Sequence, residues 1–226
     1  ILIGLVGSEM CIRDRYNMFC IYRFFASWIY GFSAVGFYIL LTPLISLWIG
    51  DKWILPGAVI AAILIDYYFK GERVVLSNYK TAAGVFEQDK YLPLIQGAVN
   101  LIISVALVIK IGLLGVYIGT IISGLLANII RPVIIYKVCF ERKAAVYFYD
   151  AVRYISVIIL AAVCCVMCSN VFMKEITIAS FAIMAVIITL IFNGIFLLFF
   201  GRTSEFRYLY AIFRDKVYSV INRRHR

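Results

Sequence analysis

Apolar runs long enough to cross a hydrocarbon core as helices alternate with short polar segments along most of the chain. Six spans are predicted. The first covers residues 24–49, with Pro43 inside it and Trp48 and Trp53 at the depth where indole rings favour the membrane interface. Gly50-Asp51-Lys52 makes a tight polar turn. The second span starts near Ile54, stays apolar to Ile65 and changes character at Asp66. It passes through Lys70, Glu72, Arg73 and Lys80 before reaching Glu87-Gln88-Asp89-Lys90. The third covers 91–109 and the fourth 113–136, with Lys110-Ile111-Gly112 turning the chain between them. A basic, aromatic connector over 137–153 leads to a fifth span over 154–173. Lys174-Glu175 turns into a sixth over 176–200, and 201–226 forms a basic tail.

Composition narrows the class. With 64% hydrophobic and 15% charged residues and a mean hydropathy of +0.97, the chain has too little polar sequence to cover a water-soluble core. The expected fold is all-α, a polytopic membrane helix bundle. The net charge of +10 points to no nucleic-acid partner, because the basic residues gather in alternate connectors. Sixteen are Arg23 and those in 70–90, in 137–153 and in the tail, against three (Lys52, Lys110 and Lys174) in the other turns. Cationic loops stay on the cytoplasmic side, so both ends of the chain are expected there, in the cytoplasmic membrane of a bacterium. Cys164, Cys165 and Cys168 sit in an apolar run with no His or carboxylate nearby, and read as small buried residues rather than ligands.

Two terminal segments stand apart. Leu5 to Arg15, LVGSEMCIRDR, is the translation of an adaptor with a transposase end sequence used to prepare sequencing libraries, and Ile1 to Gly4 fit its upstream arm. Residues 1–15 are therefore expected to be a non-native remnant, and 16–200 the C-terminal portion of a longer bundle. In 201–226, Phe206, Leu209, Tyr210, Phe213, Val217 and Val220 interleave with Arg207, Arg214 and Lys216. That spacing fits an amphipathic helix at the cytoplasmic lipid surface, or an ordinary basic tail.

No phosphate-binding loop, His-rich helix or paired external carboxylates appear, so no catalytic residue, metal site or cofactor is expected. Charge inside the second span is the feature that invites function, since an ionisable group at membrane depth is costly unless it faces a partner, water or the bundle interior. Asp66, Lys70 and Arg73 fall at i, i+4 and i+7, and Lys80 at i+14. If the helix continues, these share a face and Asp66–Lys70 are well spaced to pair. Lys70, Arg73 and Lys80 then form a cationic wall able to meet an anionic substrate. The other reading ends the span near Phe69 and leaves them in the cytoplasm. In the fourth span Gly115, Gly119, Ser123 and Ala127 form a stripe of small residues that favours close helix packing. Arg131 extends that stripe, either snorkelling to headgroups or joining the cationic wall. Gly97, Asn100 and Ser104 share a face of the third span and suit interhelical hydrogen bonds.

These residues resemble a known family. Ala83-Gly84-Val85-Phe86 with Asp89-Lys90-Tyr91-x-Pro93, then Asn100-Leu101-x-x-Ser104, then Gly112-x-x-Gly115-Val116-x-x-Gly119-Thr120, and Tyr136-Lys137 after Pro132, are similar to the C-terminal half of bacterial polysaccharide-export proteins. These are the oligosaccharide flippases of the multidrug/oligosaccharidyl-lipid/polysaccharide superfamily. The resemblance implies two pseudo-symmetric halves around a central cavity, with the N-terminal half of the bundle missing here. It also implies passage of a polyprenyl-diphosphate-linked oligosaccharide across the membrane, membrane lipids as further partners, and no enzymatic step. The alternatives are a drug/cation antiporter of the same superfamily, which needs cavity carboxylates, a glycan polymerase or ligase, which needs a large external loop, and a membrane scaffold without transport.

Overall fold

The computed structural model describes residues 12–173 and 175–224, with side chains as far as Asp215; Lys174 and most of the adaptor-like segment lie outside the described residues. Among the described residues seven α-helices follow one another: α1 (Ile12–Trp48), α2 (Gly57–Ala82), α3 (Leu92–Ile111), α4 (Leu113–Cys139), α5 (Ala145–Phe172), α6 (Ile178–Phe200) and α7 (Ser204–Arg224). No strand occurs among the described residues. The protein is an all-α helical bundle.

α1 is the centre of the arrangement. On one side it packs against α2, which leans on α4, and α4 carries α3. On the other side it packs against α5 and α6, and α7 folds back onto it. Short connections make successive helices antiparallel, so the turns gather at two ends. One end holds Gly50, Gly112 and the α5–α6 turn. The other holds the α2–α3 loop with Asp89, the α4–α5 link and the start of α7. Gly112 alone joins α3 to α4, at φ 62° and ψ −143°, a backbone conformation that side-chain-bearing residues rarely adopt.

Two cores flank α1. The first is aromatic: Phe24, Tyr154, Phe192, Phe196 and Phe200 are buried together. Trp28 stacks on Phe196 with centroids 5.8 Å apart, an offset geometry that adds to simple area burial. The second joins Phe19, Val75, Leu76, Ile135, Tyr136 and Phe140. Away from the cores large apolar side chains face outward, with Ile109 and Leu198 each 81% exposed. Continuous apolar exposure of this kind belongs in lipid.

Among the described residues, five helices (α1, α3, α4, α5 and α6) are long and apolar enough to cross a membrane. The expected boundaries shift in three places. α1 is already helical at Ile12, the first described residue, rather than only from near residue 24, so Ile12 to Arg15 of the adaptor-like stretch belong to a helix. α5 begins at Ala145, inside the segment read as a connector, because Tyr147 and Tyr154 are buried and draw that turn into the bundle. α2 does not stop at Phe69. It runs unbroken for 26 residues through every charged position to Ala82, because its charged side chains find partners. α2 is long enough to span but too charged to count with the other five, so the expected total of six spans rests on it.

Candidate functional site

Three polar groups lie along α2. The first is on the face predicted from sequence. Asp66, 3% exposed, accepts from Lys70 at 2.7 Å and from Arg73 at 3.2 Å. The two cations differ in setting: the Lys70 side chain is 59% exposed and that of Arg73 only 12%. The Arg73 guanidinium lies across Gly124 of α4, where any Cβ would overlap its Nη1.

The second group closes the α2–α3 loop. Buried Asp89 accepts from Lys80 Nζ at 2.8 Å and 3.0 Å and from Arg131 Nε at 3.3 Å. Lys80 and Arg131 thus share one carboxylate, at the same end of the bundle as the α4–α5 link. Between the two groups on the same face of α4 stands Asn128, 8% exposed, with neither side-chain nitrogen nor oxygen partnered. In all, four cations meet two carboxylates along the α2–α4 seam, leaving it positively charged.

The third group lies on another face of α2. Arg23 of α1 donates through Nε to Glu72 Oε2 at 3.0 Å and through an Nη to the backbone carbonyl of Tyr147 at 2.9 Å. The Tyr147 hydroxyl donates to the same carboxylate at 3.3 Å, and Ser27 donates to its other oxygen. Ser27 also lies 3.4 Å from the Tyr68 hydroxyl. The Arg23 guanidinium sits 3.6 Å from the centre of the Tyr147 ring, a cation–π contact strengthened by desolvation. Arg23 and Glu72 are 2% and 6% exposed. A buried charge of this kind survives only because its partner and its hydrogen bonds are complete.

The structure therefore gathers Lys70 with Arg73 around Asp66, and Lys80 with Arg131 around Asp89. It does not merge the four into one wall. Of the small stripe, Gly115 and Gly119 face α3: a Cβ on Gly115 would come within 2.7 Å of the Val108 nitrogen, and one on Gly119 within 2.8 Å of the Ser104 nitrogen. Ser123 and Ala127 are buried, and Ser123 receives a hydrogen bond from Asn100 at 3.1 Å. Ser104 donates to the Val116 carbonyl at 3.3 Å. Gly97 sits in open space.

Sequence reasoning missed Arg23, Glu72, Asp89, Gly124 and Asn128. Arg23 was counted among loop cations because it precedes an apolar run. The available signals were the i, i+4 pairs Arg23–Ser27 and Tyr68–Glu72, which place polar groups on single helix faces. Among the described residues no cluster of His, Cys, Asp and Glu suited to a metal ion occurs. Compared with known proteins, the chain matches no family model, no curated protein and no solved structure.

Proposed function

We propose that the chain is the C-terminal part of a membrane transporter that moves a polyprenyl-diphosphate-linked oligosaccharide across the bacterial cytoplasmic membrane. In this reading α2 is a sixth span and both ends of the chain face the cytoplasm. The carrying observation is the α2–α4 seam, where four cations meet two carboxylates inside a bundle that contains five long apolar helices. A diphosphate headgroup needs a cationic, hydrated path through lipid, and side chains such as Lys70 and Arg73 supply charge-assisted hydrogen bonds to phosphate oxygens. Lys70 is the best placed, being mid-helix and more than half exposed while still tethered to Asp66. No residue is assigned a catalytic role.

Three buried carboxylates, Asp66, Glu72 and Asp89, favour a second reading, the cation-coupled drug antiporter. Each already has a cationic partner, which lowers its readiness to take a substrate cation and leaves this reading behind the first.

The test uses the full-length protein in cells making surface polysaccharide. Lys70→Ala is expected to lower export and accumulate the lipid-linked precursor at unchanged membrane abundance. A lost charge-assisted hydrogen bond of about 1.5–3 kcal/mol corresponds to roughly tenfold or more in headgroup affinity. Lys70→Arg should retain part of the activity. Normal export with Lys70→Ala overturns the reading. Drug resistance that falls with Asp66→Asn, with no change in polysaccharide, favours the antiporter.

A further inference from the structure

α7 is a continuous helix from Ser204 to Arg224, and its described side chains divide into a packed beginning and an open continuation. Phe206, Leu209, Tyr210 and Phe213 fall at i, i+3, i+4 and i+7, on one face. Phe206 lies against Trp28 of α1 with ring centroids 6.4 Å apart, and Leu209 packs against the aromatic core. Beyond them the same face is bare: Tyr210 is 59% and Phe213 70% exposed. In the sequence, Val217, Val220 and Ile221 continue the register at i+4, i+7 and i+8 from Phe213.

Charge follows that bare face. Arg207 and Arg214, seven residues apart, line one flank of it, and both are exposed. Arg207 also donates to the Arg202 carbonyl at 3.0 Å. Arg214 lies 3.5 Å from Asp215, an exposed contact that holds its guanidinium only weakly. Over 201–226, seven Arg and Lys stand against Glu205 and Asp215. An apolar stripe flanked by cations matches the boundary between acyl chains and anionic headgroups.

The place of α7 in the fold fits the same surface. α6 is long and apolar enough to cross a membrane, and its apolar side chains stay exposed up to Leu198 and Phe199. Residues 201–203 alone separate it from α7, a reach of at most about 14 Å from Phe200 to Ser204. α7 therefore starts close to the level at which the lipid-facing side chains of α6 end.

We propose that α7 is an anionic-lipid-binding helix. From Tyr210 onward it lies on the membrane face at the Asp89 end of the bundle, with Phe213 among acyl chains and Arg207 and Arg214 on acidic phospholipid headgroups. Phe206 and Leu209 tie it to the bundle, so lipid held by the open half bears on Trp28, which also donates to Asn193 Oδ1 of α6 at 3.0 Å. Such docking is independent of what the bundle carries.

The test uses full-length protein reconstituted at low density into phosphatidylcholine vesicles, with or without roughly one-third phosphatidylglycerol. Phe213→Cys or Asp215→Cys, on opposite sides of the helix, carries an environment-sensitive nitrobenzoxadiazole label. Protein without the added cysteine gives the background. With phosphatidylglycerol, emission at 213 is expected to become severalfold brighter and blue-shifted while emission at 215 stays water-like. Salt at about 1 M, where charges are screened within a few ångströms, should reverse the change. Arg214→Ala should lower the ratio of docked to free helix about fivefold, the factor that matches about 1 kcal/mol per surface cation. Arg214→Lys should keep most of the docking, and both variants leave the Phe206 contact untouched.

A water-like label at 213 in both kinds of vesicle overturns the proposal. So does a label at 213 that brightens equally with and without phosphatidylglycerol, which marks apolar contact alone. Equal brightening at 213 and 215 removes the distinction between the two faces and overturns it as well. Brightening that fades as the protein is diluted into more lipid identifies a second copy of the chain as the occupant, against the lipid surface.

Discussion

Gly124 of α4 lies directly beneath the guanidinium of Arg73 of α2, so that a Cβ at position 124 would occupy the space held by Nη1. The relationship links a backbone choice on one helix to an ion pair on another. Arg73 reaches Asp66 only because α4 presents bare backbone as it passes.

Gly124→Ala is therefore expected to push Arg73 off Asp66 and destabilise the protein by about 1–3 kcal/mol, the usual cost of overpacking. Asp66 keeps Lys70, which limits the damage. Combined with Arg73→Ala the effect should be strongly non-additive, because the clash disappears with the side chain. Thermal unfolding in detergent of the two single variants and the double variant checks this. Additive shifts in Tm would show that Gly124 matters for another reason.

Glycines that face a neighbour and glycines that face open space should respond oppositely. Gly119→Leu places its side chain against Ser104 and is expected to lower membrane abundance severalfold. Gly115→Ala should do the same, because its new atom meets the α3 backbone, which cannot rotate away. Gly194→Ala meets nothing within 4 Å and removes a weak helix former, a gain of up to about 1 kcal/mol. Quantitative immunoblots of membranes separate the two classes.

Asp89→Asn leaves Lys80 and Arg131 facing each other without their shared carboxylate. Breaking a buried ion group from one side costs about 3–5 kcal/mol, so abundance is expected to collapse. Lys80→Met in the same background removes one of the stranded cations and should recover part of it. Failure of that rescue would mean that Asp89 works through the shape of the loop, not through its charge.

Cysteines substituted at Asp51, Lys110 and Glu175 should react with an impermeant reagent in sealed cells, and cysteines at Arg142 and Arg214 only after permeabilisation. The sixteen-to-three distribution of cations sets this expectation. Reaction at Arg142 in sealed cells reverses the proposed orientation.

Helix positions were legible because apolar runs and their turns follow simple periodicities: α3, α4 and α6 begin and end within three residues of the spans read from sequence. α2 and α5 were read short for one shared reason. Hydropathy registers a charge as the end of a helix in lipid, whereas α2 continues because Glu72 and Arg73 pair within the bundle, and α5 starts early because Tyr147 stacks on Arg23. Local pairs were accessible for the same reason that distant ones were not. Asp66–Lys70 is fixed by helical spacing, but Arg23–Glu72 spans 49 residues and Arg131–Asp89 spans 42. Such partners follow from which helices lie side by side, and a single chain's pattern does not encode that adjacency.

The Arg23–Glu72–Tyr147 group also imposes an order on biosynthesis. Its third member lies 75 residues beyond the second, and at about 5–20 residues per second α5 emerges roughly 4–15 seconds after α2. During that interval Arg23 and Glu72 have each other and Ser27, but not yet Tyr147. The pair works as a clasp that keeps two early helices together in the membrane until the helix completing it arrives. Variants that weaken it will then show their defect as chains degraded during insertion, before any finished protein exists to be measured.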